Sequence, residues 1–340
     1  MQNMTYKVVK NWIKVLVLIL SVPMFLSCKG KDDVVLVGNW VELSDFDGLP
    51  RADAVGFSIG TKGYIGTGYD GDKWHNDFWE YDPARNSWTQ KADFPGVARG
   101  MAVGFGTDTK GYVGTGWDGK NRLKDFYEFN PATNTWARKA DFAGSARRMA
   151  VAMSINNKGY VGTGDSVYYF KDFFEYDPAS DVWTKKSSIG GSKRRDAACF
   201  VIGNKGYVTG GIDNGEFLSD LWEYDPSSDT WTKKRGIANL STEAFDDDYT
   251  TIKGTGKVGF AVNGKGYLAT GGQTTGSDVW EYNPTTDLWQ EKTSFEGTSR
   301  SDAVGFAIGS RGYVTTGKSS GYYFDDLWAF DPDAELNEED

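Results

Sequence analysis

Residues 51–94 read RADAVGFSIGTKGYIGTGYDGDKWHNDFWEYDPARNSWTQKADF, and five further stretches of the chain follow the same plan. The glycine of its Gly-Tyr pair, Gly63, returns as Gly111, Gly159, Gly206, Gly266 and Gly312, at steps of 48, 48, 47, 60 and 46 residues. A period near 50 means units that stack on one another, because no single unit can bury its own apolar faces. Each unit holds four short runs of strand-forming residues separated by Gly, Asn, Asp and Pro. Four strands in each of six repeats predict an all-β chain folded as a six-bladed β-propeller.

One strand shows why the units pack. In Ala54-Val55-Gly56-Phe57-Ser58-Ile59 bulky and small residues alternate, which sends Val55, Phe57 and Ile59 to one face and Ala54, Gly56 and Ser58 to the other. Blades converge at the axis, so this run is expected innermost, with Trp88 on the outermost strand where a large ring fills the widening gap. Cys199 stands in the column of Gly56, Gly104, Ala152, Gly259 and Gly305 and is expected to be a small buried residue. Residues 38–43, Gly-Asn-Trp-Val-Glu-Leu, match a fourth strand, and Trp40 lies 48 positions before Trp88. The last repeat ends before any such Trp, so the N-terminal segment is expected to complete the last blade.

The landmarks after each second strand carry a family resemblance. A glycine doublet stands at Gly210-Gly211 and Gly271-Gly272, drifting to Thr-Gly at Thr67-Gly68, Thr115-Gly116, Thr163-Gly164 and Thr316-Gly317. A spaced aromatic pair follows: Tyr81 and Trp88, Phe129 and Trp136, Tyr176 and Trp183, Tyr224 and Trp231, Tyr282 and Trp289. Over residues 40–332 the chain resembles the Kelch family, to which galactose oxidase also belongs. That family includes enzymes, glycan handlers and protein-binding modules, so the fold does not choose among them.

The flanks read as an address. Residues 1–27 join Lys7, Lys10 and Lys14 to an apolar run from Val15 to Leu26, as a secretory signal does, and the run is short for a membrane span. Phe25-Leu26-Ser27-Cys28 looks like a bacterial lipobox, which implies lipidation of Cys28, and Lys31-Asp32-Asp33 resembles a tag for the outer face of an outer membrane. The expected organisation is a signal at 1–27, a lipidated tether at 28–37, a propeller at 38–332 and an acidic tail at 333–340. Removing residues 1–27 takes three lysines from a chain of formal charge -10 and leaves about -13. Such a surface argues against nucleic acid, and the membrane is expected to be met only through the lipid anchor. The chain is expected to act as a monomer.

Naming the strands A to D from the axis outward, their alternating direction places the D–A and B–C loops on one face. The A–B and C–D turns of the other face are short copies, whereas the first face varies in length and composition, as binding loops on a rigid scaffold do. Arg51, Arg99, Arg147, Arg194 and Arg300 open the innermost strands of that face, and Asp77, Asp125, Asp172, Asp220, Asp278 and Asp326 open the C strands. Two readings follow: an ordering rim of ion pairs, or a ring of guanidinium forks for an anionic ligand. Arg148 and Arg195, outside the repeat phase, lean towards the second. Tyr69, Trp74, Trp117, Tyr169 and Tyr323, with Tyr168, Phe217 and Tyr322, stand in the B–C loops off the repeat pattern and suit stacking on sugars or peptides. About a dozen extra residues within Gly236–Thr255 enter the one repeat that lacks the arginine; two readings are open, a cover over the channel mouth and a solvated excursion.

Chemistry is sparsely written. The resemblance to galactose oxidase would imply copper held by two Tyr and two His, but this chain has one histidine, His75, so copper chemistry is not expected. No nucleophile motif, zinc spacing or phosphate loop occurs, and neither cofactor nor metal is expected. The resulting expectation is a non-catalytic, membrane-anchored extracytoplasmic module binding a glycan or partner protein through the B–C and D–A face. The alternative is a sugar-ring isomerase resembling the Kelch-type sialate mutarotases, for which an unpaired arginine beside an unpaired buried carboxylate would be the mark.

Overall fold

Six antiparallel four-stranded sheets follow one another along the chain. The first has strands Val55–Ile59, Lys62–Gly66, Phe78–Asp82 and Ser87–Gln90 from the axis outward, and the next four repeat it. This computed structural model describes residues 37–237, 253–273, 276–337 and 339; the expected signal, Cys28 and residues 238–252 of the insertion lie outside them. The sixth blade takes Val304–Ile308, Arg311–Thr315 and Leu327–Glu335 from the C-terminal end and Val37–Leu43 from the N-terminal end. Trp40 pairs with Phe330 and Leu43 with Leu327 in that sheet. The N-terminal strand therefore completes the last blade as the phase of Trp40 predicts.

The alternation in the innermost strands is the packing code. Val55, Phe57 and Ile59 are buried between blades, and a side chain at Gly56 would stand 1.9 Å from Val304 of the preceding blade. Each blade thus closes on the next like a knob on a flat. Cys199, in the same column as Gly56, donates its thiol to the Ala152 carbonyl at 3.2 Å, and burial pushes its pKa up to about 11. It is partly buried, lining the axial cavity, rather than fully buried as its column suggests.

The outer Trp does more than fill space. Each indole donates across the blade boundary: Trp40 to Thr293, Trp88 to Ser44, Trp136 to Ala92, Trp183 to Ala140, Trp231 to Ser187 and Trp289 to Arg235, all at carbonyls 2.8–3.3 Å away. From Trp88 onward, the amide of that same acceptor residue is held by the Asn or Asp of the C–D turn, as Ala140 is by Asp181 at 2.9 Å. The Tyr hydroxyl fixes this turn residue, with Tyr176 on Asp181 at 2.7 Å and Tyr224 on Asp229 at 2.9 Å. So the spaced Tyr and Trp form a two-point clamp between neighbours, and blade 2, with Phe129, keeps the clamp without the hydroxyl.

Candidate functional site

The in-phase arginines are the first sequence expectation to be corrected. Arg51, Arg99, Arg147, Arg194 and Arg300 are wholly buried, and each forks onto the Asp that precedes strand C of its own blade. Arg99 shows the pattern: Nη1 and Nη2 donate to Asp125 at 2.6 and 2.8 Å, Nη1 to the Thr115 carbonyl at 2.9 Å and Nε to the Val97 carbonyl at 2.8 Å. Four of five N–H groups are engaged, and the Phe94 ring lies against the guanidinium at 4.8 Å. Burial alone would raise the carboxyl of Asp77, but the hydrogen bonds and charge of Arg51 more than reverse it, holding its pKa below the usual value. These five arginines brace the D–A loop against the B–C loop and leave no fork for a ligand. They place both loops on one face, as strand direction requires.

In blade 5 Gly254 replaces the arginine, and a lysine arrives from elsewhere. Lys257 occupies the column of Ala54, Ala102, Ala150, Ala197 and Ala303, and its Nζ donates at 3.2 Å to the Thr270 carbonyl. That carbonyl corresponds to the one Arg51 takes at Thr67. Burial lowers Lys257 to about 8, against the opposing charge of Asp278.

Two residues beyond each arginine, a ring closes around the axis. Asp53 donates its amide to the Asp302 carbonyl, Met101 to Asp53, Met149 to Met101, Asp196 to Met149 and Asp302 to Gly256, at 2.8–3.0 Å. The Gly256 amide turns instead to the Asp196 carboxylate at 3.2 Å. All six residues have φ between 53 and 63°, and for Met101 and Met149 that conformation costs about 1 kcal/mol or more. The ring sits at the mouth of an axial cavity of about 240 Å³ lined by small residues and Lys257.

Three carboxylates face this mouth with one cation among them. Lys318 reaches Asp302 at 3.1 Å and Asp53 at 3.3 Å, while Asp196 has no cation within 4 Å among the described residues. Burial, and then the charge of Asp302, lift Asp53 to about 6 and Asp196 to about 7. At neutral pH Asp196 is therefore an acid able to give or take a proton. Sequence reading missed this ring, although Arg-Ala-Asp-Ala, Arg-Gly-Met-Ala, Arg-Arg-Met-Ala, Arg-Arg-Asp-Ala and Arg-Ser-Asp-Ala align in one column.

The off-phase arginines meet one sector outward. Asp165, 4% exposed, accepts from Arg122 Nη2 at 3.1 Å and Arg148 Nε at 3.2 Å, and Arg195 Nη1 lies 3.8 Å away. Each of these arginine side chains keeps between 22 and 28% of its surface in solvent. Three positive charges share one carboxylate, and the buried Nε atoms of Arg122 and Arg195 have no hydrogen-bond partner among the described residues. Trp117 lies between Arg122 and Arg148, both 5.3 Å from its ring, and Tyr169 lies 5.3 Å from Arg195. The cluster is arranged to take an anion beside an aromatic surface.

Three of the remaining loop aromatics pack on one another. Tyr69 packs on Trp74 at 4.5 Å and edge-on to Tyr323 at 6.3 Å, and Trp74 covers Gly100 and Gly119 of blade 2. Part of each ring is thus occupied by its neighbours and part is open. Asp70 and Asp118 fold their own turns, Asp70 accepting from Asp72, Lys73 and His75, and Asp118 from Lys120 and Asn121.

Comparison with known proteins agrees with this fold. The Kelch motif matches residues 193–235, the stretch from the blade 4 arginine to the clamp Trp and beyond. The chain is a six-bladed β-propeller that carries a Kelch motif. The solved structure of YjhT aligns with a TM-score of 0.69 over 84% of this chain and 95% of that one, at 18% sequence identity, a likeness of fold alone. No curated protein matches the sequence. The Kelch landmarks of this chain, the Thr-Gly or Gly-Gly step and the Tyr–Trp pair, now have physical roles in loop bracing and blade clamping.

Proposed function

We propose that this propeller is an extracytoplasmic binding module, lipid-anchored at Cys28, whose mouth takes an anionic group of a glycan or protein ligand. The observation carrying this reading is the convergence of Arg122, Arg148 and Arg195 from different blades on one buried carboxylate, beside Trp117 and Tyr169. Repeat packing already has its arginines in the in-phase set, so these three are not needed for the brace. An array of neutral and acidic glycans probed with residues 34–340 tests it. Acidic glycans should be retained and lost on Arg148→Ala/Arg195→Ala, and retention of neutral glycans alone would refute it. The anchor is tested by Cys28→Ser, which should stop labelling by a palmitate analogue and release the protein from membranes.

A second reading, the sugar-ring isomerase, is favoured by Asp196. It is a carboxyl with no cation within 4 Å among the described residues, titrating at about 7 at the same mouth. Anomer exchange requires a base to take the proton of the anomeric hydroxyl and an acid to protonate the ring oxygen as the carbon–oxygen bond opens. Protonated Asp196 suits the acid role, and the Asp53 carboxylate beside Lys318 suits the base. Exchange of sialate anomers followed by NMR decides this reading: acceleration by the wild type and its loss in Asp196→Asn would establish it.

A further inference from the structure

Beside the arginine cluster lies a groove of about 510 Å³, between Tyr169–Asp172 of blade 3 and Ser188–Lys193 of the connection to blade 4. Tyr169 belongs to both places. Its ring faces Arg195 on the mouth side and it lines the groove on the other. The Phe170 ring continues the aromatic floor and is fixed from beneath by the Arg147 guanidinium at 4.2 Å. Lys171 and Lys193 flank that floor. The one carboxylate in the lining, Asp172, has both oxygens held by Arg147 at 2.6 and 2.8 Å. Neither lysine has an ion-pair partner among the described residues.

The fold does not ask for these lysines. The residues just before the bracing Asp and just before the bracing Arg of the next blade are Asn76 and Ala98, Lys124 and Ala146, Ser219 and Lys253, Ser277 and Ser299, or Asp325 and Pro50 at the other five boundaries. Two cations occur together only at Lys171 and Lys193, at the boundary nearest Arg195. A flat aromatic floor with unpaired cations on its flanks, in a chain otherwise acidic, selects a ligand that has both ring faces and repeated negative charge.

We propose, resting on the mouth reading above, that the ligand is an extended acidic oligosaccharide of the uronic-acid class. One acidic residue sits at Arg122, Arg148 and Arg195, and the chain runs outward along Tyr169 and Phe170 with its next carboxylates between Lys171 and Lys193. Calorimetric titrations with galacturonate, a galacturonate hexamer and a hexaglutamate peptide test this. The hexamer should bind about tenfold or more tightly than the monomer, because added charge-assisted contacts of this kind are worth at least that factor. Lys171→Ala/Lys193→Ala should bring the hexamer down to about the monomer's affinity, with a much smaller effect on the monomer, which lacks the outer carboxylates, and no change in melting temperature. Arg148→Ala/Arg195→Ala should abolish both. A hexamer no tighter than the monomer, or an advantage that survives the lysine changes, overturns the groove and leaves the mouth standing. Monomer binding indifferent to the arginine change overturns the mouth, and with it the groove. Hexaglutamate matching the hexamer would make the ligand an acidic peptide and sink the saccharide proposal, as would failure of both uronates to bind.

Discussion

Arg147 and Arg148 are neighbours in sequence with opposite occupations, as are Arg194 and Arg195. The first of each pair is buried on a matched Asp; the second points to a crowded, partly wet cluster with too few carboxylates. Removing a bracing arginine empties a wholly buried site and leaves a mostly buried carboxylate without its partner, so Arg99→Ala should cost about 3 kcal/mol in urea unfolding. Arg148→Ala should cost less than about 1 kcal/mol, since its charge is partly screened and relieves repulsion from Arg122 and Arg195. Equal losses would erase the distinction between the two sets. A second residue-scale prediction concerns pH. Asp53 and Asp196 have folded pKa values raised to about 6 and 7, so the native state binds more protons than the unfolded chain between about pH 4 and 7. Their contribution to stability is complete below the unfolded value and is lost as pH rises through the folded one. The melting temperature should fall from about pH 5 to about pH 8, and Asp196→Asn should flatten that fall. A slope identical in the two proteins would contradict the assignment.

At the scale of the element, the Trp clamp joins strands that the sheet itself does not. Trp40 is fully buried between Phe295 and Phe330 and donates to Thr293 of blade 5, while Ser44 just beyond its strand accepts from Trp88 of blade 1. The N-terminal strand thus holds both neighbours of the gap it fills. Trp40→Ala should destabilise by about 3–5 kcal/mol, and deletion of residues 34–45 should lower the melting temperature further. An unchanged melting temperature in the deletion would mean that the sixth blade stands without its outer strand. Such elements were legible in the sequence because each is written in one repeat and copied: the phase of Trp40 predicts closure, and the shared recurrence of Arg and Asp announces the brace. The same recurrence hid the brace's purpose. Spacing shows that Arg99 and Asp125 share a period, but only the fold shows that both forks are turned inward.

Over the whole molecule, function separates from repetition. The mouth gathers Arg122, Arg148, Asp165 and Arg195 from B–C and D–A loops of successive blades, and no local spacing encodes that meeting. The doublets Arg147-Arg148 and Arg194-Arg195 were its sequence trace, and the Asp or Met column after them was the trace of the axial ring. Tyr168 and Tyr322, more than 70% exposed, crown the same face, whereas the A–B and C–D turns of the opposite face are near-identical hairpins. We therefore propose that ligand recognition belongs to the face where the blades differ. The most direct measurement is a paired one, affinity for the best glycan of the array and thermal stability, on wild type, Arg148→Ala/Arg195→Ala and the opposite-face variant Thr133→Ser. The arginine variant should lose binding, by about tenfold or more if two charge-assisted contacts go, and keep its melting temperature; the turn variant should change neither. Normal binding by the arginine variant, with binding abolished by changes near Lys62, Lys110 or Lys205, would place the ligand on the other face and contradict the mouth.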